Sequence, residues 1–287
     1  MKTQNLKLIA IAFLFILTSC VEKEKKTEEK VEAVAEKMEV PAYSTDDPQS
    51  MLAAIEYSHG GWGDLWKKKD VQYTYNYHSP DANKTDISIE RYIFNSEASY
   101  GHYTKHEINV MPGVAGEVTQ CFDGKETIVL VDGAKNTDQQ ANIVGDFLRK
   151  ANYFWFVMPY KLNDKGTMTT YIGQEELNGT TYDKLNVTYD PTITGKEQND
   201  IYILYVNPKT KLIDRFYFSL PFMGVNEPLI IADYEYEDVE GQMIATKRSY
   251  YMPSENGYAE SPNLIQTLTD ISFNNGFTTA NLMVSAN

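Results

Sequence analysis

The sequence predicts a mainly β protein built on one extended, strongly curved antiparallel sheet or barrel, and three observations carry that expectation. The 287 residues include 21 Tyr and 12 Phe but only 3 Trp, which places much of the apolar area on residues that favour strands. Long stretches alternate apolar and polar residues with a period of two, the mark of a half-buried strand. Asp123-Gly124, Asp132-Gly133, Asn178-Gly179 and Glu240-Gly241 separate these stretches, and such pairs favour the positive φ of tight hairpins. Charge narrows the function classes. With 26 Lys and Arg against 40 Asp and Glu, the net charge of −14 repels a phosphate backbone, so nucleic acid is not an expected partner.

The first element is a leader. Lys2 and Lys7 precede the apolar run from Leu8 to Leu17, and Thr18-Ser19-Cys20 follows, which is the order of regions in a secretory signal. Leu17-Thr18-Ser19-Cys20 resembles a bacterial lipobox, so residues 1–20 are expected to be a lipoprotein signal peptide with Cys20 as the acylated residue. Two acyl chains hold a protein stably to a leaflet where one does so marginally. Val21 stands where an Asp often marks inner-membrane retention, so the resemblance implies an outer-membrane anchor, on the periplasmic or the cell-surface side. Residues 21–47 carry charges of both signs and few large apolar residues, too little apolar surface to offset ordering entropy, and read as a flexible tether.

A domain spanning residues 48–287 should follow. Asp47-Pro48-Gln49-Ser50 is a helix start, with an acidic cap and proline in the first turn. Strands are then expected over 71–77, 87–94, 99–110, 116–122 and 126–131. The middle breaks the period of two. From a cap at Thr137 or Asp138, Ile143, Val144, Phe147, Leu148, Ala151, Phe154 and Trp155 recur at helical spacing, with Asp146, Arg149 and Lys150 on the opposite side. They predict one amphipathic helix ending near Pro159. Further strands are expected over 167–172, 181–189, 200–207, 212–220, 230–239, 242–251 and 265–273. Roughly a dozen antiparallel strands must curl or split.

Several short motifs resemble the LolA/LolB superfamily of lipoprotein carriers, and most of all lipoproteins of the Bacteroidota within or beside it. They are Phe122-Asp123-Gly124 with Thr127, then Trp155-Phe156-Val157-Met158-Pro159-Tyr160-Lys161-Leu162 with Asp164 and Gly166. Gly173, Gly179, Tyr182, Asp200-Ile201-Tyr202 and Asn207-Pro208-Lys209-Thr210 before Leu212-Ile213 complete the set. The resemblance implies an unclosed β-barrel of roughly 11–12 strands with the N-terminal helix and the central helix as a lid. It also implies a hydrophobic or lipid-like ligand, bound or handed on without catalysis. Ile143, Val144, Phe147, Leu148 and Trp155 would then line lid and cavity. One departure is that a carrier is a soluble shuttle, whereas Cys20 would tie this chain to a membrane.

Other chemistry finds little support. His102 and His106 are four apart, but on a strand at about 3.3 Å per residue they stand roughly 13 Å from each other, too far to share a metal ion. Cys121 sits in an alternating stretch and reads as a buried strand thiol. Neither a Gly-x-Ser-x-Gly nucleophile, a His-Glu-x-x-His zinc helix nor a phosphate loop occurs. A monomer without cofactor or metal is expected. The alternatives are a surface module that binds glycan or protein through aromatics such as Tyr73, Tyr75 and Tyr77, and a hydrolase using paired carboxylates, for which Glu175-Glu176, Asp214 and Asp233 are candidates.

Overall fold

The computed structural model describes residues 40–283. The expected signal peptide and Cys20 lie outside the described residues, as does most of the expected tether. The tether's last part is fastened earlier than expected. Tyr43 donates to Asp183 Oδ2 at 2.8 Å and lies under Lys211 Nζ, 3.7 Å from its ring centre, so contacts with the sheet begin before Pro48.

Helix α1 (Pro48–Ser58) opens with Asp47 accepting from the Ser50 amide and buries Met51, Leu52 and Ile55. A short turn, α2 (Trp62–Lys67), follows. Six strands then run as a meander: β1 (Asp70–Ser79), β2 (Lys84–Ile93), β3 (Ala98–His106), β4 (Val118–Phe122), β5 (Thr127–Val131) and β6 (Ala134–Lys135). Helix α3 (Gln139–Lys161) interrupts the meander, which resumes with β7 (Thr167–Leu177) and β8 (Thr180–Tyr189), the short α4 (Pro191–Thr194), and β9 (Tyr202–Val206) and β10 (Ile213–Leu220). A single 3-10 turn, Pro221–Met223, leads to β11 (Val225–Val239), β12 (Gln242–Tyr251) and β13 (Leu264–Phe273).

All thirteen strands form one sheet, ordered β6-β5-β4-β3-β2-β1-β13-β12-β11-β10-β9-β8-β7. The two halves join through β1 and β13, which pair antiparallel from Val71 with Phe273 to His78 with Ile265. The sheet does not close into a barrel: its outer strands are β6 and β7, the two that flank α3 in sequence. The helix therefore connects one free edge to the other across the concave side. The strand beyond the expected twelve is β6, two residues long and without an alternation to read.

Two expectations for α3 are corrected. The helix passes through Pro159 to Lys161. A proline there forfeits only the bond its amide would have made to the carbonyl of Trp155, and the remaining turn continues. The second correction concerns which side is buried. The residues removed from solvent include Gly145, Arg149, Tyr153, Phe156 and Tyr160, a stripe at helical spacing displaced from the apolar one, with Arg149 on the inside, and the last turns also bury Val157, Met158 and Pro159.

Two clusters fill the concavity. One joins α1 to Met158 and to Leu185, Leu204, Phe216 and Phe218 of β8–β10. The other packs Tyr153, Phe156, Val157 and Tyr160 of α3 onto Tyr73, Tyr75 and Tyr92 of β1 and β2.

Candidate binding groove

The position of α3 is set by its polar face. Arg149 is fully buried, and its guanidinium donates to both oxygens of Glu90 on β2, at 2.7 and 3.1 Å. It also donates to Tyr103 Oη at 2.5 Å and Gln120 Oε1 at 3.2 Å. The acid is completed by Ser88 Oγ at 2.8 Å and Tyr92 Oη at 3.0 Å. A buried ion pair persists only when its remaining polar atoms are satisfied in this way. Two glycines make room for it. A Cβ on Gly101 would stand 2.5 Å from the Arg149 guanidinium, and one on Gly145 would stand 2.7 Å from Val129 Cγ2. Glycine inside a strand or helix often marks such a close approach.

With that face fastened, the apolar stripe of α3 turns toward the second half of the sheet. There it lines a groove of about 700 Å³ together with Tyr202, Leu220 and Phe222. The groove lies within the usual size of small-molecule sites, which is roughly 300 to 1,000 Å³. Phe147 and Phe222 stack across it, centroids 3.9 Å apart and planes 2° from parallel. Ile143 and Phe222 each keep 46% of their surface exposed. Deeper in, Trp155 stacks on Phe216 at 5.8 Å and meets Phe218 edge-on at 5.0 Å.

The rim is polar. Asp146 accepts from Lys150 at 2.7 Å and from Thr127 Oγ1 at 2.6 Å. Burial works against its charge, but these two hydrogen bonds prevail and hold its carboxyl below the usual range. Asp200 is pushed up by burial, with Lys196 opposing. The groove thus offers a hydrocarbon floor with acids and amines of both signs at its mouth.

The five residues expected to line lid and cavity divide. Ile143, Phe147 and Trp155 line the groove. Val144 faces a separate hollow of about 300 Å³ with Val110, Met111 and Pro112. Leu148 packs instead beside Tyr103, Val118 and Val129. The sequence reading missed Tyr202, Leu220 and Phe222. Its available signal was Leu220-Pro221-Phe222-Met223, a greasy run in a turn between two strands, where Met223 is 66% exposed.

The other candidates sit elsewhere. Tyr73 and Tyr75 are core residues. His102 and His106 both lie on β3, the first bonded to Thr119 and the second to the Gly116 carbonyl. Cys121 is buried, its thiol raised by burial to about 11. Glu175 pairs with Lys184 at 2.7 Å and Asp233 with Arg215.

A family model described as a family of unknown function, DUF6503, matches residues 53–225. No curated protein matches the sequence. Among solved structures the chain is similar to a domain described as an outer membrane lipoprotein-sorting protein from Vibrio parahaemolyticus, at 9% identity and a TM-score of 0.46, covering 84% of this chain and 97% of that one. It is similar to a DUF1329 family protein from Desulfovibrio piger, at 11% identity and a TM-score of 0.49, covering 83% and 96%. A LolA superfamily protein from Nitrosomonas europaea is similar at 13% identity and a TM-score of 0.44, covering 73% and 92%.

Proposed function

This chain belongs to the family of unknown function DUF6503, and from that premise we propose that it binds a hydrophobic, lipid-like ligand in the groove beside α3 without acting on it chemically. One observation carries the reading. Ile143 and Phe147 of the apolar stripe take no part in the clusters that seat α3 on the sheet, and they line an open groove instead. Burial of each methylene of an acyl chain there contributes about 0.8 kcal/mol.

The helix stays in place in this reading. Swinging it aside would expose the Arg149–Glu90 pair and the core rings beneath it, so admission falls to the Phe147–Phe222 stack and the turn that carries Phe222. Acylation at Cys20 would hold residues 48–287, acting as one monomeric domain, at the outer membrane, where such ligands are found.

Native mass spectrometry of the purified full chain tests the proposal. The wild-type protein should carry an adduct of acyl-lipid mass that folded Phe147→Asp lacks. A wild-type protein that stays empty when offered fatty acids and phospholipids would overturn it.

A further inference from the structure

Besides Arg149 and Arg91, a third arginine is buried among the described residues. Arg248 on β12 is 2% exposed, opposite Tyr234 on β11 and Gln266 on β13 in the sheet register. Its Nε donates to the Ala245 carbonyl at 3.2 Å, and its Cζ lies 5.3 Å from the centre of the Tyr234 ring. Its Nη2 has no hydrogen-bond partner in the protein, and neither has the Tyr234 hydroxyl beside it. Among the described residues Arg248 forms no ion pair.

Charge counting sharpens this. The Tyr73 hydroxyl bonds Tyr92 Oη at 2.7 Å, which bonds Glu90 Oε2 at 3.0 Å, and Glu90 is taken up by Arg149 at 2.7 Å. This part of the core thus carries two guanidiniums and one carboxylate. The other buried acids are committed elsewhere: Asp86 to the amides of residues 107–109, Asp70 to those of 275–277, and Asp183 to Tyr43 and Gln174. The neighbouring phenols do not supply the missing charge, because burial pushes Tyr75, Tyr234 and Tyr250 up and keeps them protonated. A buried cation without a counter-charge is costly.

The site lies close to the groove. Tyr234 meets Phe216 edge-on at 5.0 Å, and Phe216 stacks on Trp155 at 5.8 Å, which lines the groove. We propose that Arg248 holds the headgroup of a monoanionic amphiphile, a long-chain carboxylate, with the Tyr234 hydroxyl as a second donor and the hydrocarbon reaching the groove beside α3 once the Trp155–Phe216 stack parts to admit it. This assignment rests on the groove reading and names the class of ligand for it.

The test is calorimetric titration of the purified full chain with dodecanoate, 1-dodecanol and acetate. A charge-assisted pair predicts that dodecanoate binds about 10- to 100-fold more tightly than the alcohol, and that Arg248→Met removes the difference while melting no lower than wild type without ligand. If Arg248→Met does not fold, Tyr234→Phe keeps the ring and should reduce the dodecanoate preference several-fold, leaving dodecanol unchanged. Equal binding of acid and alcohol by wild type would overturn the Arg248 site while leaving the groove intact. So would a preference that survives both substitutions. Acetate binding as tightly as dodecanoate would make this a site for a small free anion and overturn the amphiphile. If neither chain bound, the groove reading itself would fall.

Discussion

The two long faces of α3 reverse the usual division of labour. The face against the sheet carries Gly145, Arg149, Tyr153, Phe156 and Tyr160, a glycine, a charge and three aromatics, two of them with hydroxyl tips. The face toward the groove carries Ile143, Phe147, Ala151, Phe154 and Trp155. By hydrophobicity alone the second would be buried and the first left in water. The difference teaches that an apolar stripe marks where hydrocarbon is wanted, not always where the protein's own core lies. A buried, hydrogen-bonded ion pair and close backbone approach can help to seat a helix and leave part of its greasy side, here Ile143 and Phe147, open for something else.

The comparison breaks most readily at the ion pair. Glu90→Gln leaves Arg149 charged and uncompensated, and should cost about 3–5 kcal/mol in denaturant unfolding. Exchanging both partners for apolar residues of similar volume should cost far less. A loss below about 1 kcal/mol for Glu90→Gln would show that the polar face does not fasten the helix.

A pH effect of slightly smaller size comes from the same face. Tyr160 donates to the His59 carbonyl at 2.7 Å, and the His59 ring is buried, with Nδ1 on the Ile55 carbonyl at 2.7 Å. Burial lowers this imidazole from 6.5 to about 4, the bond to Ile55 opposing. Between those values the unfolded chain binds the proton that the folded one refuses. Stability should therefore rise with pH from about 4 to 6.5, by about 3 kcal/mol in all, and level off above. A His59→Gln variant that still folds should lose that rise, and an unchanged slope in it would remove His59 from the account.

Gly145→Ala comes next. Its methyl would meet Val129 at 2.7 Å, and overpacking of this kind costs about 1–3 kcal/mol. Thermal unfolding checks this, and a stabilised variant would show that the helix has slack against the sheet. The groove face should behave in the opposite way. Phe147→Ala removes a ring stack worth about 0.5–1.5 kcal/mol and should barely move the melting temperature, yet it should weaken acyl-chain binding strongly in a fluorescent fatty acid assay. Unchanged binding would exclude the stack from the site.

Much of the fold was legible because strands announce themselves through alternation and tight-turn pairs: Val71 to Tyr77, Ile87 to Phe94 and Gln242 to Tyr251 all read as strands and are strands, save that β2 ends at Ile93 and Phe94 opens the turn. The residues β6 pairs through, Ala134 and Lys135, are too few for any period. The helix was found, but its buried side was misread, since Arg149 is attracted inward by Glu90, 59 positions away in sequence. Nothing local to either residue signals the other. The groove was half legible for a similar reason. Ile143, Phe147 and Trp155 stand out by spacing on one helix, whereas Tyr202, Leu220 and Phe222 reach them only through the order of the sheet. Arg248 was silent, because an arginine in an alternating strand ordinarily faces water.

Photolabelling tests the groove most directly. A fatty acid carrying a diazirine near its methyl end, irradiated with the purified full chain and mapped by peptide mass spectrometry, should label Ile143, Phe147 or Phe222. Labelling should fall when unlabelled dodecanoate is added. Label concentrated instead on the hollow between Trp66 and Phe277, or spread over the surface without competition, would contradict the account.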